Sequence, residues 1–258
     1  MSRFDLYQTV EDLSNAMVKC RCNGLGYVYV DVPLGHRFFG KAVPCVCRRD
    51  EELARRAKSL RSRSGLGESA RLQWTFHSFE PAKAIPTEGV KTEDYLRKAK
   101  WRCQKFARIP EGWLMLLGGV GTGKTHLAVA TLNELLNNGF PAFFATVPGL
   151  LDQLRAGYND GTYDELWTWI RQVRVLILDD LGAHHATDWA AERMYELVNY
   201  RYANLLPMIV TTNQIPEGPE AHSRLWSRLC DGMNTKDGLV SVLPMPAEDF
   251  RRRGIVKH

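Results

Sequence analysis

The sequence has no long apolar run. None of its hydrophobic stretches reaches the roughly 20 residues that a bilayer-crossing helix needs, which excludes a helical membrane span. The first residues, Met1-Ser2-Arg3-Phe4-Asp5, lack the basic-then-apolar pattern of a secretory leader, so a cytoplasmic location is expected. Cysteine is scarce, with six in 258 residues, and in a reducing cytoplasm these are expected as thiols rather than disulfides. There is no internal repeat and no low-complexity tract. Charge of one sign is also in short supply: a net charge of +5 permits nucleic-acid binding without demanding it. What remains is an ordinary soluble composition, enough for one large domain and a small one.

Gly118-Gly119-Val120-Gly121-Thr122-Gly123-Lys124-Thr125 fits G-x-x-x-x-G-K-[ST], the phosphate-binding loop. Glycines let backbone N–H groups close on phosphate oxygens because no Cβ obstructs them. Gly119, Val120, Gly121, Thr122 and Gly123 would line the phosphates, Lys124 would reach the β and γ groups, and the Thr125 hydroxyl would coordinate Mg²⁺. The apolar run of residues 113–117 predicts a buried strand before the loop. Residues 126–136 predict a helix after it, so the phosphates would meet a helix N-terminus, with His126 beside them.

Residues 173–180 form an apolar strand that ends in Asp179-Asp180, the Walker B pattern. The first carboxylate would hold Mg²⁺ and the second would polarise the attacking water. A third apolar strand, residues 207–213, ends in Asn213. Parallel strands ending in Asp179 and Asn213 would bring both to the carboxyl edge of one sheet, where ligands bind in open α/β folds. Arg224 and Arg228, four residues apart, would share one helix face. Cys103 and Cys230 read as buried small hydrophobes.

The N-terminal quarter reads differently. Residues 5–18 predict a short amphipathic helix. Cys20 and Cys22, then Cys45 and Cys47, flank a β-like stretch at residues 26–32. Four thiolates from two turns suit a closed tetrahedral Zn²⁺ site, which would stabilise a segment too short to build a core; His36 is an alternative ligand. Residues 48–63 predict a charged helix, broken by Ser64-Gly65-Leu66-Gly67. The expected organisation is a zinc-binding module at 1–65 and a nucleotide-binding domain at 66–258.

GGVGTGKTHLA, LILDDLG, the NYRY of residues 199–202, IVTTN and RLWSRL together resemble the AAA+ ATPases of the DnaC and IstB group, over residues 74–254. The CNGLGY of residues 22–27, followed by Pro44-Cys45-Val46-Cys47, resembles the zinc module of some bacterial and phage helicase loaders. In that pattern the first cysteine lies one position earlier, where this chain has Lys19, so Cys20 or His36 completes the site. The resemblance implies an α/β AAA+ P-loop fold, with a parallel sheet flanked by helices. It gives Asn213 the sensor-one role and Arg228 the arginine-finger role on a neighbouring subunit's ATP, and makes Arg251 a nucleotide-reading residue. Asp180 stands where many relatives carry Glu, which implies slow hydrolysis. The implied function is ATP-dependent loading of a hexameric replicative helicase onto single-stranded DNA by a homo-oligomer, with ATP, Mg²⁺ and Zn²⁺. The alternative is an IstB-like transposition regulator that assembles on duplex DNA.

Overall fold

The computed structural model describes residues 22, 25–29, 39–44, 64–66, 73–182, 187–213, 224–231 and 239–250. The amphipathic helix expected at 5–18, the charged helix at 48–63, Cys20, His36, Cys45, Cys47 and Arg251 lie outside these residues. The chain divides into two compact units, Met1–Lys58 and Ser59–His258. In the first unit, β1 (Tyr27–Tyr29) pairs antiparallel with β2 (Ala42–Pro44). Tyr27 lies opposite Pro44, so the pairing joins the sequence neighbours of the two cysteine pairs. Cys22 is buried, and its carbonyl accepts a hydrogen bond from the Leu25 N–H at 2.9 Å.

The second unit is built on five parallel strands: β3 (Trp113–Leu117), β4 (Ala142–Thr146), β5 (Val175–Leu181), β6 (Met208–Thr212) and β7 (Val240–Pro244). Their order across the sheet is β4-β5-β6-β3-β7. The strands are near-continuous apolar runs because both faces of the sheet are covered. Alternation along β3 shows this directly: Leu114 and Leu116 enter one core, while Trp113 and Met115 enter the other. The first core is closed by α1 (Thr92–Arg108) and α2 (Lys124–Asn137). α1 turns Leu96, Ala99, Cys103, Phe106 and Ala107 inward at helical spacing and leaves Tyr95 and Trp101 exposed. The second core is closed by α3 (Val147–Asp160), α4 (Tyr163–Gln172), α5 (Asp188–Ala203) and α6 (Arg224–Leu229). Cys103 is fully buried as expected, whereas Cys230 is only half-buried against the second core. No helix among the described residues is long and apolar enough to cross a membrane.

Local chemistry sets the joints. Thr146 both ends β4 and caps α3, its hydroxyl accepting from the Gly149 N–H at 3.3 Å, so the chain turns from strand to helix without a loop. Thr187 caps α5 in the same way through the Ala190 N–H. Gly139 and Gly161 follow α2 and α3 with φ of 77° and 76°, the left-handed stop that glycine adopts without strain.

One joint was not foreseen from the sequence. Arg201, on α5, is fully buried. Its Nη1 donates to the carbonyls of Ile170, Arg171 and Val173 at 3.3, 3.1 and 3.0 Å, and its Nη2 to those of Arg174 and Pro207 at 3.3 and 2.7 Å. It thus gathers the orphan carbonyls at the end of α4 and the chain entering β5 and β6, where a cation also complements the helix dipole. Burial pushes its pKa down to about 9, which still leaves it charged at neutral pH. Arg201→Met should therefore cost roughly 3 kcal/mol or more of unfolding free energy, since it strands several buried carbonyls. Lysine should not rescue it, because an ammonium cannot span the same fork. Urea denaturation measures both; a wild-type midpoint for either variant would show that water replaces the guanidinium.

Candidate nucleotide site

The phosphate loop joins β3 to α2, and its geometry follows from its glycines. Gly121 and Gly123 have φ of 74° and 94°, a region closed to most side chains. At Gly123 a Cβ would also lie 2.6 Å from the Phe79 ring, and at Gly121 one would collide with the Asp249 carboxylate. The loop is thus clamped between two segments that precede and follow the sheet. The Phe250 N–H donates to the Gly121 carbonyl at 3.2 Å, and the Met245 N–H to the Leu117 carbonyl at 2.7 Å.

Lys124 is buried at the start of α2. Its ammonium donates to the carbonyls of Gly118 and Gly119 at 2.8 and 2.7 Å and to Asn213 Oδ1 at 2.9 Å. An ammonium has three protons, so an incoming phosphate must exchange with these acceptors. The Thr125 hydroxyl donates to Asp179, at 3.0 Å from each carboxylate oxygen. A hydroxyl and a carboxylate in contact beside a phosphate loop are the oxygen donors Mg²⁺ takes alongside substrate phosphates, so this pair fits the metal.

Asp180 is half-buried, follows Asp179 and has φ of 63°, a left-handed value uncommon for a residue with a side chain. Its N–H donates at 2.9 Å to the Thr211 hydroxyl, which in turn donates to Asp179 Oδ1 at 2.6 Å. Thr211 was not among the residues expected at the site. The polar pair Thr211-Thr212 inside an otherwise apolar buried strand was the available signal.

His126 packs away from the Thr125–Asp179 pair. Its ring stacks on Trp74 at 5.3 Å and meets Phe79 edge-on, while Nε2 lies 3.0 Å from the Thr75 carbonyl and 3.1 Å from Ser78 Oγ. Burial lowers its pKa, so the ring is neutral at pH 7. Beside it a cavity of about 260 Å³ opens between the loop and both clamping segments, lined by Ser78, Phe79, Leu96, Thr122, His126 and Phe250 among others. Arg228 lies elsewhere. Its guanidinium sits 4.5 Å from the Tyr202 ring and its Nε donates to Asn199 Oδ1 at 3.3 Å, both on α5. Arg224 stands over Tyr195 on the same helix.

A second cluster gathers aromatic rings: Trp167 is buried, Tyr163 and Trp189 pack on the second core, and Tyr158 is exposed. Tyr158 stacks on Tyr163 at 4.2 Å, and Tyr163 on Trp167 at 6.2 Å, while Trp189 meets Tyr158 edge-on. Arg155 covers Trp189 at 4.8 Å, and Arg193 lies over Trp167 at 5.8 Å.

The described geometry defines an AAA+ P-loop ATP-binding domain: a parallel sheet carrying the loop after β3, two carboxylates at the end of β5 and Asn213 after β6. Residues 96–219, just under half of the chain, match the family model described as IstB-like ATP binding protein, so this stretch is similar to the ATP-binding domain of that family. An ATP-binding protein of an insertion sequence from Mycobacterium tuberculosis is 29% identical over 184 residues, 71% of this chain and 68% of that protein. The replicative helicase loader DnaI of Bacillus subtilis is 30% identical over 110 residues, 42% of this chain and 35% of the loader. Among solved structures, the DnaC helicase loader superposes with a TM-score of 0.53 at 25% identity, covering 68% of this chain and 99% of that one. The relatives divide between helicase loaders and insertion-sequence proteins, so the shared family does not choose a role.

Proposed function

We propose that this protein is an ATPase that loads a replicative helicase onto single-stranded DNA. ATP would set its phosphates on Gly119 to Gly123 and its base in the cavity beside Phe79 and His126, with Arg251 reading the nucleotide from the following segment. Lys124 would exchange Asn213 Oδ1 for a phosphate oxygen, which frees Asn213 to orient the attacking water. Mg²⁺, held by Thr125 and Asp179, would neutralise charge on the β- and γ-phosphate oxygens. Asp180 would draw the proton from the attacking water, and its carboxylate, shorter than glutamate, fits slow turnover regulated by DNA or the partner.

The observation that carries the loader reading is the aromatic cluster on α3, α4 and α5, which presents the Tyr158 ring at the surface. Rings stack on unpaired bases, whereas a duplex hides its base faces and offers phosphates and groove edges. Tyr158 is the outermost ring, 55% exposed, while Arg155 pairs with Asp152 and Arg193 with Glu192 and Glu196. A second reading, an ATPase regulator of transposition on duplex DNA, is favoured by the 184-residue match to the insertion-sequence protein. Fluorescence anisotropy with oligo-dT and a duplex of equal length separates them. The loader reading expects single-strand preference, and a loss of roughly 5- to 150-fold in Tyr158→Ala, the range of one lost base stack at about 1–3 kcal/mol. Duplex preference untouched by Tyr158→Ala would transfer the reading to the regulator.

The N-terminal module is proposed to bind Zn²⁺ through Cys22, Cys45, Cys47 and either Cys20 or His36, and to grip the hexameric helicase. The β1–β2 pairing supports this by joining the neighbours of both cysteine pairs. Elemental analysis should give about one zinc per chain; protein purified under reducing conditions without zinc would remove this part of the reading.

Arg228 is proposed to stabilise the transition state in a neighbouring subunit of a homo-oligomer, a contribution worth about 10³–10⁵ in rate when supplied in trans. Arg228→Ala should bind ATP and fail to hydrolyse it. Mixing with Lys124→Ala subunits, which lack the phosphate cation but keep Arg228, should restore turnover. Co-assembled mixtures that stay inactive would show that Arg228 does not act across the interface.

A further inference from the structure

We propose that Thr211 is a positioning residue that sets both acidic residues of the nucleotide site at once. The inference rests on the ATPase reading and concerns how the metal-binding edge is built. β5 and β6 pair in regular register as far as Leu178 opposite Val210, and pairing resumes at Leu181 opposite Thr212. Three steps along β5 therefore match two along β6, which leaves one extra residue on β5. That is a β-bulge, a device that re-aims side chains beside active sites. It falls on the acidic pair. In a flat strand Asp179 and Asp180 would point to opposite faces of the sheet. Here the φ of 63° at Asp180 takes its residue out of the alternation.

A bulge also removes the regular ladder partner from the extra residue's N–H. Thr211 supplies another. Its hydroxyl, 1% exposed, accepts the Asp180 N–H at 2.9 Å and gives its only proton to Asp179 Oδ1 at 2.6 Å. One buried atom thereby fixes the backbone of one acid and the carboxylate of the other. The hydrogen bond that Thr211 donates to Oδ1 orients the Asp179 carboxylate toward Thr125, its partner in the proposed Mg²⁺ site. Thr212 makes a useful contrast. Its hydroxyl donates to the Leu181 carbonyl at 2.9 Å and so fastens the far end of the bulge. The two threonines separate orienting the acids from merely holding the strands together.

Partners that orient metal ligands typically change metal affinity or activity by about 10- to 100-fold when removed. The test compares Thr211→Val, which keeps the shape and loses the hydroxyl, Thr211→Ser, which keeps the hydroxyl, and Thr212→Val. Folding is checked by circular dichroism, and Thr211→Ala replaces the valine variant if that does not fold. ADP affinity in EDTA should stay within about twofold of wild type in Thr211→Val, because the phosphate loop is untouched. Mn²⁺ affinity of the ADP complex, read by electron paramagnetic resonance, should weaken roughly 10- to 100-fold. At saturating Mg²⁺, kcat should fall with little change in KM, since Asp180 would lose its setting. Thr211→Ser should restore both within about threefold, and Thr212→Val should leave Mn²⁺ affinity within about threefold of wild type. Unchanged Mn²⁺ affinity in Thr211→Val, failure of serine to rescue, or an equal loss in Thr212→Val would overturn the proposal. A wild-type protein that binds ADP and Mn²⁺ but turns over no ATP would overturn the ATPase reading, while the Mn²⁺ comparison would still decide the role of Thr211.

Discussion

Three consecutive side chains at the end of β6 tie the nucleotide edge together. Thr211 bonds Asp179 and Asp180, Thr212 bonds the Leu181 carbonyl, and Asn213 bonds Lys124. β6 lies between β5 and β3, so it is the strand that can reach both the acidic end of one and the phosphate loop leaving the other. The cost of putting hydroxyls in a buried strand is offset because each one is satisfied. Were β6 and the residue after it apolar, the Asp180 N–H would lose the Thr211 hydroxyl and Lys124 would lose Asn213 Oδ1. The order β4-β5-β6-β3-β7 is therefore what lets three chain-distant motifs act as one site.

The loop itself is held from outside the sheet. Phe79 fills the space a side chain at Gly123 would need, and Asp249 fills that at Gly121. Lys100 on α1 donates to the Phe79 carbonyl at 2.9 Å, and Asn133 on α2 to the Trp74 carbonyl at 2.9 Å, so the preceding segment is anchored to both helices of the first core. The cavity beside His126 owes its walls to these anchors. A binding site pre-shaped by the fold loses less to ordering when ligand arrives.

What the sequence made legible was whatever repeats as a local pattern. Apolar runs gave β3, β5 and β6, because a doubly covered strand must be apolar along its length. The phosphate loop and the Asp179-Asp180 pair are local in sequence and were located from it, at the ends of β3 and β5. Arg201 and Thr211 were not. Each works through atoms 27 to 32 residues away for the most part, and a basic residue in a helix or a threonine in a strand is unremarkable until the topology is known. His126 illustrates a third case: it lies next to Thr125 in sequence, yet a helix turn points it into the Trp74–Phe79 cluster and toward the cavity rather than to the Thr125–Asp179 pair. Adjacent positions on a helix diverge by about 100°, so a motif extended by one residue changes neighbourhood.

α5 joins surfaces that the proposed function needs to work together. Its first half supplies Trp189 and Arg193 to the aromatic surface, and its second half supplies Tyr195, Asn199 and Tyr202 to the arginines of α6. Arg201 rivets the same helix to the entrances of β5 and β6, the strands whose far ends carry Asp179 and lead into Asn213. A rigid helix with buried fastening transmits displacement with little loss, because close-packed interiors yield poorly to local strain. Any resulting linkage would have to be reciprocal. If bound nucleotide changes affinity for a DNA strand by some factor, the strand must change nucleotide affinity by the same factor. If ATP hydrolysis weakens strand binding by some factor, a bound strand must favour ATP over ADP by that same factor, and α5 is a helix that contacts both groups of side chains.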